Sequence, residues 1–208
     1  MNTTTRTFEL DQRVRSAAET GDFKAAAEHV LNALGADLVR VIQARFRQEQ
    51  LTAEVFSQVT EDMWLGLPRF AFRCSVRAWL FTLARNAGNR YLDRELRRQR
   101  GQVALSQVPE LVNAMARAHT QSLTDLASDA SEWLANLRGE LSEDDQLLLT
   151  LRVDRALDFR EIAIVMLGDV DAERADVVRE AAKQRKRFQT LKQRLRERWL
   201  ARKSKPRG

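Results

Sequence analysis

The chain has 208 residues, of which 44% are hydrophobic, so it is long enough for two modest domains and too apolar to be largely disordered. Only 8 glycines and 3 prolines are present, too few to punctuate a many-stranded β fold, and the composition therefore predicts an all-α protein. A net charge of +6 favours polyanionic partners such as nucleic acid, and the single cysteine, Cys74, excludes an intramolecular disulfide.

Residues 1–100 carry three segments in which apolar residues recur at the spacing of one helix face. The segments contain Leu31, Leu34, Leu38, Val41 and Ile42; Val55, Phe56, Val59 and Met63; and Val76, Leu80, Leu83, Ala84, Ala87 and Tyr91. Ser75 stands just before the third segment, where its hydroxyl can cap the helix. We therefore predict a helical domain over residues 1–100.

Residues 66–74, between the second and third segments, are rich in Phe and Arg and too irregular for a helix. Aromatic rings interleaved with guanidinium groups are typical of surfaces that bind single-stranded DNA, since bases stack on the rings and the charges neutralise phosphates. Phe70 and Phe72 fit either this use or a place in the core. Trp79 lies next to a buried stripe and is expected inside.

Helical periodicity weakens over residues 101–130, which include Pro109 and a run of Ser, Thr and Asp. Such a composition is typical of a linker. One short helix is expected within it, over residues 110–118.

The second predicted domain covers residues 131–208. Ser142 and Asp158 are each followed by an acid at the spacing of a capping box, and Gly168 is expected to end the helix that Asp158 opens. An acidic stretch then leads into a long basic helix starting at about Val178. Two helices separated by a break predict a helix-turn-helix, whose second helix enters the major groove of duplex DNA.

In a helix-turn-helix, the first side chains of the second helix meet base edges, and later Lys and Arg side chains contact phosphates. The base-edge or groove candidates are Lys183, Arg185 and Lys186. The phosphate candidates are Arg187, Gln189 and Lys192. The periodicity fits a packed helical hairpin with a solvated basic face equally well, so both interpretations stay open at this point.

The sequence contains no pattern typical of a catalytic site: no Gly-rich phosphate loop, no His–Glu pair at metal-ligand spacing and no GxSxG elbow. Cys74 has Arg73 and Arg77 as neighbours, which favour a thiolate, but no partner base accompanies it. We therefore expect no catalytic residue, no metal and no cofactor. No apolar run approaches the roughly 20 residues of a membrane span, so a cytoplasmic protein without a membrane partner is expected.

Three blocks of residues 1–100 resemble motifs of one protein family. Residues 17–26 are similar to its opening motif A-x-x-G-D-x-x-A, and residues 54–64 resemble its helix D-L-V-Q-E-V-F-x-x-x-W. Residues 67–70 and 76–86 follow the pattern L-P-x-F…F-x-x-W-L-x-x-I-A-R-N closely. This last block is the most specific match in the chain.

The second half carries weaker matches to the same family. Residues 141–145 and 159–163 resemble L-P-x-x-x-R…L-S-Y-x-E-I-A. Over about residues 17–100 and 131–199, the chain therefore resembles the extracytoplasmic-function (ECF, group 4) sigma factors of the sigma-70 family.

The resemblance implies an alternative sigma factor, built from two helical domains and a flexible linker, that directs transcription initiation by core RNA polymerase. Its σ2-type domain would bind the polymerase clamp through Glu54, Val55, Gln58, Glu61 and Asp62. The same domain would recognise and melt the −10 element, with an extruded base held by its Phe/Arg loop. The residues implied for this step are Arg69, Phe70, Phe72, Arg73, Arg85, Asn86, Asn89 and Arg90. The σ4-type domain would read the −35 element through the helix-turn-helix and contact the polymerase flap.

The family also leads us to expect an anti-sigma factor as a partner, and the lack of a sustained heptad seam predicts a monomer when the protein is free. Between Leu167 and Glu180 the chain is several residues longer than the family pattern, which leaves the start of the recognition helix open. These residues are acidic. We hypothesise that residues 169–180 fold against the basic final helix and restrain DNA binding until polymerase separates the domains.

Three other functions stay open. A free-standing helix-turn-helix regulator would bind duplex DNA without core polymerase and would not need the block at residues 76–86. An adaptor whose basic faces bind acidic partners would show no dependence on DNA sequence. An enzyme would need chemistry that no residue pattern supplies.

Overall fold

A computed structural model of the chain describes residues 3–46, 49–102 and 140–203. Within these residues every regular element is helical, which confirms the predicted all-α fold class for this part of the chain. The helices are α1 (Thr3–Glu19), α2 (Phe23–Arg45), α3 (Glu49–Gly66), α4 (Val76–Gln102), α5 (Glu143–Leu149), α6 (Phe159–Leu167) and α7 (Arg174–Lys203). A 3₁₀ turn, Leu67–Arg69, follows α3, and a π-helical turn, Thr150–Asp154, follows α5.

The predicted linker falls almost entirely outside the described residues. α4 continues to Gln102, and beyond it the linker, the short helix expected over residues 110–118 and the start of the second predicted domain, up to residue 139, lie outside the described ranges. The domain boundaries therefore stay predictions.

Helices α1 to α4 pack around one apolar core. Each of the three predicted stripes contributes to it, because the members of a stripe share one face of their helix. The completely buried residues of this core include Val14, Val30, Leu38, Val59, Met63 and Leu80. Trp79, expected inside, is 3% exposed and belongs to this core.

Several helix ends carry the caps that the sequence predicted. The Ser75 hydroxyl accepts a hydrogen bond from the backbone N–H of Ala78 at 3.1 Å, at the start of α4. Asp158 forms a reciprocal capping box with Glu161 at the start of α6, and Gly168, with a φ of 74°, ends that helix. α7 begins earlier than the expected Val178, so part of the acidic stretch forms its first turns.

The described parts of the two halves share a second apolar cluster. Val41 of α2 and Phe81 of α4 pack there with residues from α5, α6 and the segment between them, namely Leu147, Leu148, Leu151, Leu157, Ile162, Val165 and Met166. Phe81 is 0% exposed. Burying a side chain of this size contributes about 1.5–3 kcal/mol, so the first half helps to stabilise the second.

Candidate nucleic-acid interface

The loop between α3 and α4 folds into a small aromatic cluster. The Phe70 ring stacks on Trp79, with the ring centroids 4.5 Å apart and 15° between the ring planes. The Phe72 ring lies 4.5 Å from Phe70, and the guanidinium of Arg15 lies 4.8 Å from the Phe72 ring. Both Phe rings are half-buried, so they pack against the core and still reach the surface.

Phe72 adopts a backbone conformation that is rare for a bulky residue. Its φ is 55°, in the left-handed region. Holding a non-glycine residue there costs about 1–3 kcal/mol, and such residues cluster at functional sites. The strain marks this loop as a candidate site independently of its composition.

A pocket of about 200 Å³ opens beside the aromatic cluster. Its lining residues are Gly66, Arg69, Phe70, Ala71, Arg73, Trp79, Val170 and Asp171. Aromatic faces with guanidinium groups at the edge suit a planar ring attached to an anionic backbone. The volume is below the range of about 300–1,000 Å³ that is usual for small-molecule sites.

Gly66 allows α3 to end directly against Trp79. A Cβ atom on Gly66 would lie 3.1 Å from Cζ2 of the indole, closer than ordinary van der Waals contact. A larger residue would push the indole on which Phe70 stacks. Gly66 was not among the predicted site residues, although it directly precedes the Leu-Pro step of the loop.

Arg85 and Asn86, expected on the DNA face of α4, meet the second half of the chain. Asn86 donates a hydrogen bond from Nδ2 to the backbone carbonyl of Gly168 at 2.8 Å. Arg85 is half-buried, and burial lowers the pKa of its guanidinium, while the carboxylate of Asp144 opposes that shift. Both side chains are therefore partly engaged within the protein.

Arg45, at the end of α2, connects α4 with α5 and was missed by the sequence analysis. Its Nη2 donates to Oδ1 of Asn89 at 2.7 Å, and its Nη1 donates to the backbone carbonyl of Arg85 at 3.3 Å. Its Nε pairs with Glu143 at 3.1 Å. Asn89, a further residue of the expected −10 set, is thus held by a side chain from α2.

The residues expected to bind the polymerase clamp lie along α3. Glu54 and Glu61 are exposed. Gln58 donates from Nε2 to carboxylate oxygens of Glu61 and Asp62, each at 3.3 Å. Asp62 also pairs with Arg90, which joins the expected clamp-binding set to the expected DNA-binding set.

Val55 of α3 is more buried than its expected role suggests, and Gln184 of α7, to which the sequence assigned no role, is buried as well. Val55, expected at the clamp, is 2% exposed because it belongs to the apolar stripe of α3, so in this arrangement it supports the helix from inside. Gln184 is 1% exposed although it is polar, and its Nε2 donates to Glu180 at 2.6 Å. It completes the buried face of α7 together with Val177 and Leu191.

α7 presents most of the expected −35 residues at the surface. The exposed ones are Lys183, Arg185, Lys186, Gln189 and Lys192. Lys183 pairs with Glu180 at 3.2 Å, and the guanidinium of Arg185 lies 5.4 Å from the Phe159 ring. The helix α6, the following turn and α7 are arranged in the order that a helix-turn-helix requires.

Arg187 differs from its neighbours on α7. Its Nε donates to Asp145 at 2.6 Å and its Nη2 donates to the Ser142 hydroxyl at 3.2 Å. Partial burial opposes its charge, but hydrogen bonding and attraction to Asp145 and Asp144 prevail and raise the pKa of Arg187. In this arrangement Arg187, expected at a phosphate, fastens α7 to the start of α5.

The acidic residues after α6 do not fold back on α7 as hypothesised. From Arg174 onward they are part of α7 itself, and the turn before it contacts the first half of the chain. Asp171 pairs with Arg73, with 3.4 Å between Oδ1 and Nη1. Val170 packs against the core of α1 to α4.

Cys74 lies half-buried near this turn. Burial raises the pKa of its thiol to about 12. The carboxylates that raise it further are those of Asp11, Asp171 and Glu161. The neighbouring Arg73 and Arg77 do not produce a thiolate, because each is paired with one of these carboxylates.

A search of protein-family models finds no match to this chain, and a search of curated proteins finds none. Among the residues that the structure describes, no group of three or more His, Cys, Asp or Glu side chains is placed to hold a metal ion. No helix in residues 3–46, 49–102 and 140–203 is both long and apolar enough to cross a membrane. A functional interpretation therefore depends on the motifs and on the geometry of the loop, α4 and α7.

Proposed function

We propose that this chain is an alternative sigma factor of the extracytoplasmic-function type, which binds core RNA polymerase and directs transcription initiation at promoters with −10 and −35 elements. It acts in the cytoplasm without an active site of its own. A σ2-type and a σ4-type domain, joined by the linker over residues 101–130, form its working parts. Its partners are the clamp and flap of the polymerase, promoter DNA and an anti-sigma factor.

The observation that carries this proposal is the aromatic pocket beside α4. A protein that melts duplex DNA has to accept an unstacked base. Phe70 stacked on Trp79 offers a planar surface, and Arg69 and Arg73 stand at its edge. The most specific sequence motif supplies Phe70 and Trp79, so motif and geometry coincide at one place.

The exposed basic side chains of α7 support the second half of the proposal. Lys183, Arg185 and Lys186 follow the α6–turn–α7 arrangement and are accessible to a duplex. In a helix-turn-helix such residues lie in or near the major groove. Together with the pocket, they would give the chain separate surfaces for melted and double-stranded DNA.

The test is binding to bacterial core RNA polymerase in competition with a primary sigma factor. We expect saturable displacement, and we expect Glu61→Lys to weaken it about tenfold or more, because reversing an exposed interface charge creates repulsion. Glu28→Lys makes the same charge change at an exposed position of α2 and should leave the competition unchanged. If the wild-type chain does not bind where a primary sigma factor does, the proposal fails and a free-standing regulator is favoured.

A further inference from the structure

We propose that the turn between α6 and α7 is an internal competitor for the aromatic pocket, with Val170 and Asp171 occupying in the free protein the space that DNA takes when it binds. This inference rests on the proposed function, since it names the occupant of the same pocket when DNA is absent. It also replaces the hypothesis that the acidic residues restrain the final helix.

The turn brings to the pocket an apolar side chain, in place of a base, and a carboxylate, in place of a phosphate. Val170 places an apolar side chain against the first-half core at one wall of the pocket, next to the aromatic cluster. Asp171 places a carboxylate 3.4 Å from Nη1 of Arg73, where a phosphate would otherwise be neutralised. An apolar group and an anion thus approach the pocket from the same turn.

The competition extends along α4. The backbone carbonyl of Gly168, at the start of the turn, accepts the hydrogen bond of Asn86 at 2.8 Å. Asn86 and Arg73 are both expected DNA contacts, and both are engaged by this turn. A strand of DNA that follows α4 into the pocket has to displace the turn along its path.

The turn is held in place by the interface behind it. Arg77 of α4 pairs with Glu161 of α6 at 2.8 Å, with side-chain exposures of 11% and 16%, and Ser75 donates to the same carboxylate at 2.7 Å. Phe81 lies in the apolar cluster next to these pairs. Releasing the pocket therefore involves moving α6 away from α4.

The DNA test compares two substitutions that remove one negative charge from the same segment. Asp171→Asn removes the pair with Arg73, whereas Glu173 is exposed and serves as the matched control in Glu173→Gln. The apparent affinity rises with the fraction of protein whose site is free. For full-length protein and a short labelled single strand of mixed sequence, we expect Asp171→Asn to bind about twofold to fivefold more tightly, the range of an exposed ion pair. Glu173→Gln should match the wild type.

The single cysteine provides a second readout that does not involve DNA. Val170→Ser weakens the apolar contact and leaves every charge near Cys74 in place. If the turn leaves its position more often, the thiol loses its burial and alkylation by a maleimide becomes faster. We expect at least about a twofold increase in rate, together with tighter single-strand binding.

The outcomes separate this inference from the proposed function. Equal DNA affinities for Asp171→Asn and Glu173→Gln, with unchanged alkylation in Val170→Ser, would overturn the competition while the wild-type chain still competes for core polymerase. Faster alkylation without tighter DNA binding would also overturn it, because the turn would then cover no DNA site. If the wild-type chain neither competes for polymerase nor, in any variant, binds single strands, the proposed function itself fails.

Discussion

In the loop and α4, the side chains of Arg73, Asn86 and Arg90 contact other parts of the chain, whereas on α7 the side chains of Lys186 and Lys192 are exposed. Both regions are basic in sequence, and both resemble DNA-binding elements. The difference arises from what each helix packs against. α4 is in contact with α1, α2, α3 and α6, so its polar residues meet the surfaces of neighbours. Most of the basic residues of α7 occupy the faces that its packing leaves free.

A basic side chain that is identified from sequence therefore has two possible uses. On the outer faces of α7 it is available to a partner. On α4 it neutralises a carboxylate or hydrogen-bonds a carbonyl of the same chain, and a partner has to replace that contact. Arg187 shows that both uses occur on one helix, since its neighbour Lys186 is exposed while Arg187 itself binds Asp145.

The largest expected effect comes from separating the two halves with Phe81→Ala. The ring is completely buried in the cluster shared by α4, α5 and α6. We expect a loss of about 3–5 kcal/mol in the free energy of unfolding, measured by denaturant titration, because a cavity forms in the shared cluster. We also expect faster alkylation of Cys74.

The control for this prediction is Leu191→Ala. Leu191 is also buried, but in a cluster with Leu141 and Leu149 inside the second half. It should cost about 2–5 kcal/mol and leave the alkylation of Cys74 unchanged at denaturant concentrations where the protein is folded. Equal alkylation in the two variants would mean that Phe81 does not hold the halves together.

A smaller effect is expected from Gly168→Ala, at the contact between the turn and α4. The φ of Gly168 is +74°, and an added Cβ would lie 2.7 Å from Oδ1 of Asn86. The left-handed conformation alone costs a residue with a Cβ about 1–2 kcal/mol, so the melting temperature should fall. Gly35→Ala is the matched control, because no atom lies within 4 Å of its added Cβ and it sits inside α2. It should stabilise by about 0.5–1 kcal/mol, and a drop of the same size in both variants would contradict the structure of the turn.

The smallest expected effect on stability is the difference between Arg187→Ala and Lys186→Ala. Arg187→Ala removes hydrogen bonds to Asp145 and Ser142 and should cost about 1–2 kcal/mol. Lys186→Ala should stay within about 0.5 kcal/mol of the wild type, since its side chain is exposed. Binding to duplex DNA at several salt concentrations should show the opposite order, with the larger loss of affinity for Lys186→Ala. If the two variants lose stability equally, the assignment of Arg187 to the contact with α5 is wrong.

The helices and their ends were predictable because they depend on neighbours close in sequence. The apolar stripe of α3 predicted which face of that helix is buried. The spacing of Asp158 and Glu161 predicted a capping box, which the structure contains. Prediction was poorer at the start of α7. There the acidic residues were assigned to a separate segment, although carboxylates are favoured in the first turn of a helix.

The candidate site was predictable only in part. Phe70 and Arg73 were identified from the composition of the loop and from the motif. Trp79 was expected in the core, and it is buried there with the Phe70 ring stacked on it. Val170 and Asp171 at the other wall of the pocket were not, because nothing near them in sequence indicates that they contact the loop.

The sequence by itself determined that the described chain is helical, which faces of its helices are apolar, where several helices begin and end, and where positive charge is concentrated. Only the tertiary structure decided which charged side chains pair with each other and which residues form the second wall of the pocket. Arg45 contacts Glu143, Arg77 contacts Glu161 and Arg73 contacts Asp171, in each case across a long stretch of chain. Helical periodicity and capping arise from residues within a few positions of each other. These three pairs depend instead on how α2, α4 and the loop before α4 pack against α5, α6 and the turn after α6.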